Sequence, residues 1–540
     1  MKRKGFTLVE LLAVIAILAI LVIIALPNVM SMFNNAKKSS FETEVKQIYK
    51  LSLSQWMSDN FTSGNEMIYS KCEDGCENEI KSLDARNNLN YYVKVNGTGK
   101  ITELYVTDGT YQYEYKGDEL KPEEIKEVET VANIQEEEKI IIKPSNAYFK
   151  TGSEVNVFMK KLAGNNNPTI SIGDTHITSF SRKENIPNEY KKEDYIISTS
   201  NSNYPIYMWY EKENDDTGKI YWYSEANNVY TNEDASHMFR LLQGNKNLNL
   251  TGINSSKSKN MRYMFAANTE LESLNLSNFR TDSATDMFAM FQSMAKLTKL
   301  DLRSFNTSKV TTMNRMFSYS EKLETIDLSS FNTSNVTDMN TMFRNCGSLK
   351  KLDLRNFNTS KVTDMMYLFC HDVSLSELNV STWDVSKVKN MGFTFYNCPK
   401  LTTIDLSNWH TTSLTDMFRT FYGCSGVTDL KLDNFDTSNV TRMTTAFLGL
   451  KNIKTLDLSS FDTSKVELTS QMFYGDSVLE TIYVSDKFNV NSVTSSSNMF
   501  GACPKLKGQN GTIYNSKKVS VEYAKVDTPE TPGYFTRKEN

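Results

Sequence analysis

Three groupings in this 540-residue chain combine residue types and spacings that could do chemistry. The first is a carboxylate placed against an apolar run: Glu10 immediately precedes the sixteen unbroken apolar residues Leu11 to Leu26. A lone acid buried in a bilayer costs about 2.5–3.5 kcal/mol on insertion scales, so Glu10 needs a cation to face. The second is Cys72 and Cys76 in "KCEDGC", which fits a small disulfide loop outside the cell and equally fits two unpaired thiols. With no second Cys/His pair nearby, a metal is disfavoured there. The third is a column of acids at a constant period, Asp301, Asp327, Asp353, Asp405 and Asp457. It reads as a face for cations or a basic ligand, or as a solvated ladder. At spacings of about 4.8 Å such charges repel by roughly 1 kcal/mol in water, and Arg303, Lys351 and Arg355 lie close enough in sequence to offset that.

Other chemistry is missing from the sequence. There is no G-x-S-x-G, phosphate loop or H-E-x-x-H, and the four histidines, His176, His237, His371 and His410, are scattered. No enzyme, cofactor or metal is expected. With 60 Lys+Arg against 64 Asp+Glu, a net charge of -4, the chain lacks the basic excess of a nucleic-acid-binding body.

The element that must position Glu10 is a membrane helix. From Phe6 to Leu26 the run holds 21 residues, roughly 31 Å as a helix, behind the basic flank Lys2, Arg3 and Lys4 that should stay in the cytoplasm. A cleaved secretory peptide would carry no acid in its core and would end in a small-x-small site. A lipoprotein would need a Cys just after the run, and the first is Cys72. A plain anchor leaves Glu10 unexplained. "KGFTLVELLAVIAILAILVIIALP" resembles the type IV prepilin leader. That resemblance implies cleavage after Gly5 by a prepilin peptidase, N-methylation of Phe6, and use of Glu10 in assembly with other pilin-like subunits. In a bundle of such helices, a neighbour's terminal ammonium can neutralise the Glu10 carboxylate where water is excluded. Pro27 fits a helix bend.

Downstream, Val29, Met32, Phe33, Ala36, Phe41, Val45, Ile48 and Trp56 recur at helical spacing and continue the helix to about residue 60. "YYVKVNGTGKITELYVTDGTYQYEYKGDEL" alternates β-prone residues with turns at Asn96-Gly97 and Asp108-Gly109, predicting a small antiparallel head over 61–120. Residues 121–140 read as a charged linker. Residues 141–235 read as a β-rich cap in which "YPIYMWYEKENDDTGKIYWYSE" pairs two aromatic strands.

From 236 to 503 the chain is periodic. Units such as "LTKLDLRSF" (Leu297), "LETIDLSSF" (Leu323) and "LKKLDLRNF" (Leu349) start 26 residues apart, and a Met-Phe position keeps the same step from Phe239 to Phe473. Ten such units predict a solenoid about 50 Å long, closed by a carboxy-terminal cap at 504–540. Within a unit, Leu300 and Leu302 alternate as a strand, and Val310, Met313 and Phe317 fall on one face of a short helix capped by Asn306 or Ser308. The fold class is therefore an α/β repeat solenoid, leucine-rich-repeat-like, behind a pilin helix and small β-rich domains. The pattern L-x-x-L-D-L-S-x-F-x-T-S-x-V-T-x-M-x-x-M-F most closely resembles the 26-residue repeat of BspA-like bacterial surface proteins. Phe or Trp stands where the better-known repeat has Asn (Phe279, Phe305, Trp383, Trp409), so no asparagine ladder is expected. Cys346, Cys398, Cys424 and Cys503 each follow a unit Phe by three residues and read as buried thiols in a small slot, although stacking could bring Cys398 near Cys424.

These resemblances imply a protein held in the membrane lipid by its first helix, its body at the cell surface or in a pilus-like filament. The solenoid would serve adhesion to an unknown surface or host protein, from a minor or tip position. The alternatives are a pseudopilin of a secretion or DNA-uptake apparatus, and an anchored surface protein that never polymerises. No wall-sorting motif is present to hold the chain at its other end.

Overall fold

The computed structural model describes residues 36–57, 67–71, 89–96, 98–108, 111–115 and 146–538, with isolated positions between 80 and 127. Gly5, Phe6, Glu10, the apolar run, Cys72, Cys76 and most of the 121–140 linker lie outside the described residues. The chain divides into two units, Met1–Pro144 and Ser145–Asn540.

In the first unit, helix α1 (36–57) lies on a five-stranded antiparallel sheet of β1 (Met67–Lys71), β2 (Asn90–Val95), β3 (Ile101–Thr107), β4 (Tyr111–Tyr115) and β5 (Lys126–Glu127), in that order. The apolar stripe Phe41, Val45 and Ile48 is fully buried, with Phe41 against Tyr111 and Tyr49 against Tyr115. Asn96 closes the β2–β3 turn by accepting the Thr98 and Lys100 N–H groups on its side-chain oxygen.

The second unit begins with β6 (Asn146–Tyr148), α2 (Gly152–Leu162), β7 (Ile177–Arg182), β8 (Tyr207–Lys212), β9 (Gly218–Tyr223), β10 (Asn228–Tyr230) and β11 (Asn247–Leu248). The aromatic runs pair as β8 and β9, antiparallel, from Tyr207 opposite Tyr223 to Lys212 opposite Gly218. Helix α2 was not expected in this segment. Its signature was present in the sequence: Thr151 accepts from Glu154 N–H, and Glu154 reaches back to Thr151 N–H, a reciprocal cap ahead of Val155 and Met159. Phe180 against Phe239 joins this cap to the repeats in one continuous core.

The repeats stack as parallel coils in register. Short strands β12 (Lys299–Asp301), β13 (Thr325–Asp327), β14 (Lys351–Asp353), β15 (Glu377–Asn379), β16 (Thr403–Asp405), β17 (Asp429–Lys431), β18 (Thr455–Leu458) and β19 (Thr481–Val484) line one side, and they pair two by two, β12 with β13, β14 with β15, β16 with β17 and β18 with β19, residue i opposite i+26. A second line of parallel bridges runs from Asp234–Asn260 to Leu468–Ser495. Strand β20 (Phe535–Arg537) returns beside β19 and closes the stack.

The helical half of each unit is not helical, and the α/β assignment is corrected accordingly. No helix lies between the start of the repeats and residue 503. In the coil that starts at Leu297, the N–H groups of Met313, Arg315, Phe317 and Tyr319 donate at 2.8–3.1 Å to carbonyls of Asp338, Asn340, Met342 and Arg344 in the next coil. Arg315 and Tyr319 hold φ of 60° and 61°, the left-handed region that ends a right-handed helix. The i, i+3, i+7 pattern is real, but alternate N–H groups bond to the next coil, and those between them, of Met316, Ser318 and Ser320, close tight turns on the carbonyl three residues back.

Two aromatic columns fill the core. From Phe239 to Phe500 the unit phenylalanines stack with centroids 5.5–5.9 Å apart. From Phe279 to Phe461, through Trp383 and Trp409, a second column stacks at 5.9–6.5 Å. Trp383 and Trp409 give their indole N–H groups to Leu354 O and Val380 O, so their burial leaves no donor unmet. Where other repeats run an asparagine ladder, this chain runs threonine. Thr307 and Thr333, both 1% exposed, each donate to the carbonyl and accept the N–H of one residue in the next coil, Asn332 and Asn358.

The threonine column predicts a localised weakness. Thr333→Val keeps shape but strands the Asn358 N–H and C=O, so it should destabilise the chain by about 1–3 kcal/mol. Ser334→Ala, one residue on, should stay within about 0.5 kcal/mol. Denaturant midpoints for the two variants distinguish this account from simple packing.

Candidate functional site

The acidic column stands on the strand side. Each member first serves its own coil: Asp301, Asp327, Asp353, Asp405 and Asp457 accept the N–H two residues on, at 3.0–3.3 Å, and so shape the corner after the strand. Most then face a cation. Arg303 and Arg355 chelate Asp301 and Asp353 through Nε and a terminal nitrogen, Lys431 lies 3.0 Å from Asp405, and Lys538 of the closing segment meets Asp457. Asp327 has no cation within 4 Å among the described residues. Hydrogen bonds from Arg303 hold the Asp301 carboxyl down at about 2, and the other four are also lowered. Lys351 pairs with Glu377 rather than with an acid of the column. A shallow recess of about 510 Å³ opens on this side between Thr428–Asp433 and Asn452–Ser460, with Lys431, Lys454 and Asp457 in its lining.

The cysteine slot lies in the core. Cys346, Cys398, Cys424 and Cys503 are free, buried thiols, each donating to the carbonyl of the preceding unit's Phe at 2.9–3.2 Å. Burial pushes the Cys424 and Cys503 thiols up to about 12, so thiolate chemistry is suppressed. In the same slot Asn268 donates to Phe239 O, and Ser320 to Phe291 O. Asp372 and Asp476 also occupy it, both 0% exposed. Each accepts a backbone N–H on one oxygen, from Cys346 and Leu450, while the other oxygen has no partner. Burial raises both carboxyls well above the usual range.

A third feature lay outside the sequence reading. The turn segments carry aromatics and arginines in contact: Tyr367 stacks on Phe393 at 4.4 Å, Tyr396 on Tyr422 at 4.7 Å, and Arg344 and Arg419 sit over these rings. His371, scattered in sequence, meets Asn397 at 2.9 Å and the edge of Tyr396. The signal was available in the residues flanking each unit Phe, but a helical reading turned them in several directions.

Among the described residues no cluster of three or more His, Cys, Asp or Glu is placed to hold a metal, and no helix is long and apolar enough to cross a membrane. A parallel stack of repeated coils defines a repeat protein with a buried aromatic interior and two elaborated outer faces. The family model described as "Mycoplasma protein of unknown function, DUF285" matches three times, over 233–352, 321–431 and 415–526, together more than half of the chain. The chain belongs to that family. The model described as "Prokaryotic N-terminal methylation motif" matches residues 1–26. No curated protein matches. Among solved structures, the Drosophila Toll–Spatzle complex is 15% identical over 48% of this chain and 36% of that one, with a TM-score of 0.24. A TLR13–ssRNA13 complex is 16% identical over 53% and 44%, also at 0.24. The chain spans less than half the length of either.

The buried acids give a pH signature. Their folded pKa lies above the unfolded value near 3.9, so the stability they allow is complete below about pH 4 and is lost as pH rises toward the folded value. Replacing both by Asn, which suits the slot at Asn268, should yield a chain whose advantage over wild type grows by up to about 1.4 kcal/mol per pH unit per residue replaced. Denaturation midpoints measured from pH 4 to 9 test this; parallel profiles would refute it.

Proposed function

We propose that the chain is a prepilin-type surface protein, held in the membrane by its first helix, whose coil stack is displayed outside the cell for adhesion or protein-ligand binding. The observation that carries this reading is the union of two family matches in one chain, a methylation motif at 1–26 and a repeat domain over 233–526. Support comes from the prepilin-like residues Gly5, Phe6 and Glu10 and from a helix packed on a small antiparallel sheet after them. The resemblance of the repeat to BspA-like units favours adhesion over transport.

On this reading a prepilin peptidase cuts after Gly5, and the exposed Phe6 amine is methylated. Glu10 then meets the amine of a neighbouring pilin-like subunit within membrane lipid, which fixes register as subunits assemble. The coil stack is bulky for a major subunit, so a minor or tip position follows. Its partner is a surface or host protein that engages the outer faces, and no catalytic step is assigned to the chain.

The amino-terminal peptide of protein extracted from native membranes should begin at N-methylated Phe6, read by intact peptide mass. A peptide beginning at Met1 would remove the prepilin step. Glu10→Val should abolish incorporation into filaments while leaving the protein in the membrane. Deletion of 236–503 should abolish target binding and spare filament formation, whereas a pseudopilin would lose no binding.

A further inference from the structure

The arginines of the coil stack divide into two groups. Arg262, Arg280, Arg303, Arg355 and Arg442 each sit on a carboxylate, at Asp286, Asp282, Asp301, Asp353 and Asp416. Arg240, Arg315, Arg344 and Arg419 have no carboxylate within 4 Å among the described residues, and at Arg344 and Arg419 the buried Nε–H also has no acceptor. Both sit over rings instead: Arg344 is 4.8 Å from the centroid of Tyr367, and Arg419 is 4.9 Å from Phe418 and 5.5 Å from Tyr422. Acids at the start of the same turn segments are already engaged. Asp364 accepts from Met366 N–H and Asn340, and Asp416 accepts from Phe418 N–H and Arg442. The two guanidinium charges are therefore left uncompensated.

The platform between them is aromatic and half-buried, made by Tyr367, Phe393, Tyr396 and Tyr422. Its rings stack on one another along the coil direction, with interplanar angles of 20° and 17°. Their faces are taken up by each other and by the guanidinium groups, Arg344 over Tyr367 and Arg419 over Phe393 and Tyr422. Two guanidinium groups without a carboxylate partner, each with a free Nε–H, favour anionic groups. The same geometry disfavours sugars and nucleobases, which bind aromatic side chains through open faces.

Arg344 and Arg419 belong to coils three apart, an offset of about 14 Å along the stack at strand spacing. An extended peptide rises about 3.4 Å per residue, so carboxylates four residues apart match that gap. We propose that this platform docks an acidic polypeptide segment in extended form, with carboxylates at i and i+4 on Arg344 and Arg419. The inference rests on reading the coil stack as a binding surface and gives that surface its partner chemistry.

The test uses the full chain in detergent micelles and a labelled peptide with glutamate at every fourth position and Ser or Gly between, followed by fluorescence anisotropy. The peptide should bind saturably and weaken as salt rises. Arg344→Gln with Arg419→Gln should weaken binding by about tenfold or more, the loss expected when charge-assisted contacts are removed. Arg303→Gln with Arg355→Gln, on the strand side, should leave it unchanged, and matched thermal melts exclude unfolding. Absence of binding, equal binding by the Arg344/Arg419 variant, or arginine-dependent capture of heparin or single-stranded DNA in place of the peptide overturns the proposal. A chain that begins at methylated Phe6 yet ignores the peptide refutes this surface alone and leaves the display reading standing.

Discussion

Everything in the repeat domain depends on a register of 26 residues held between neighbouring coils. The backbone of each coil finds partners in the next one along the turn segment, and strands pair two by two on the other side. That arrangement lets a unit do without helices, because part of its N–H groups are met by a neighbouring coil and others by tight turns of its own. It also brings like side chains face to face. Phenylalanine stacks on phenylalanine, and each buried threonine hydroxyl bridges the backbone of the coil that follows. The one extra residue, near Lys487, is taken up locally, because Phe500 still stacks on Phe473 and Ser495 still bridges Leu468.

The polar residues of the repeat have a related role. The Asp or Asn that follows the strand leucine turns the corner by accepting the second N–H ahead, and Asn306 does the same for Ser308 at the next corner. The acidic column is thus a by-product of corner chemistry repeated at a fixed pitch. Arginines or lysines set beside it offset the like charges that stacking would otherwise align. An outward column of one residue type is therefore weak evidence for a ligand when the same side chain is needed to make the turn.

Constant interior and varied exterior divide the labour. The slot after the unit Phe accepts Asn, Ser, Cys or Asp because each can meet a backbone group there, at a desolvation penalty that rises with the charge of the group. The turn face is free of that discipline, and it is there that arginines stand over aromatic rings without a carboxylate partner. Ligand chemistry belongs on such a face, where residues differ from coil to coil without disturbing the stack.

The sequence by itself determined the repeat, its length and its phase, since a 26-residue period in Leu and Phe is legible without coordinates. It determined which side chains enter the core, because strand alternation and the Met-Phe position mark them in every unit. The acid column and the buried thiols were legible for the same reason. Tertiary structure alone decided the backbone of the Val310–Phe317 segment. An i, i+3, i+7 pattern records which residues are buried, and a turn stacked against its copies buries the same ones as a helix does. It alone showed that Thr307 and Thr333 replace the missing asparagine ladder, since their partners lie 25 residues away. The Arg344–Arg419 platform was hidden for the same physical reason. Its residues come from successive coils, and only stacking sets them side by side.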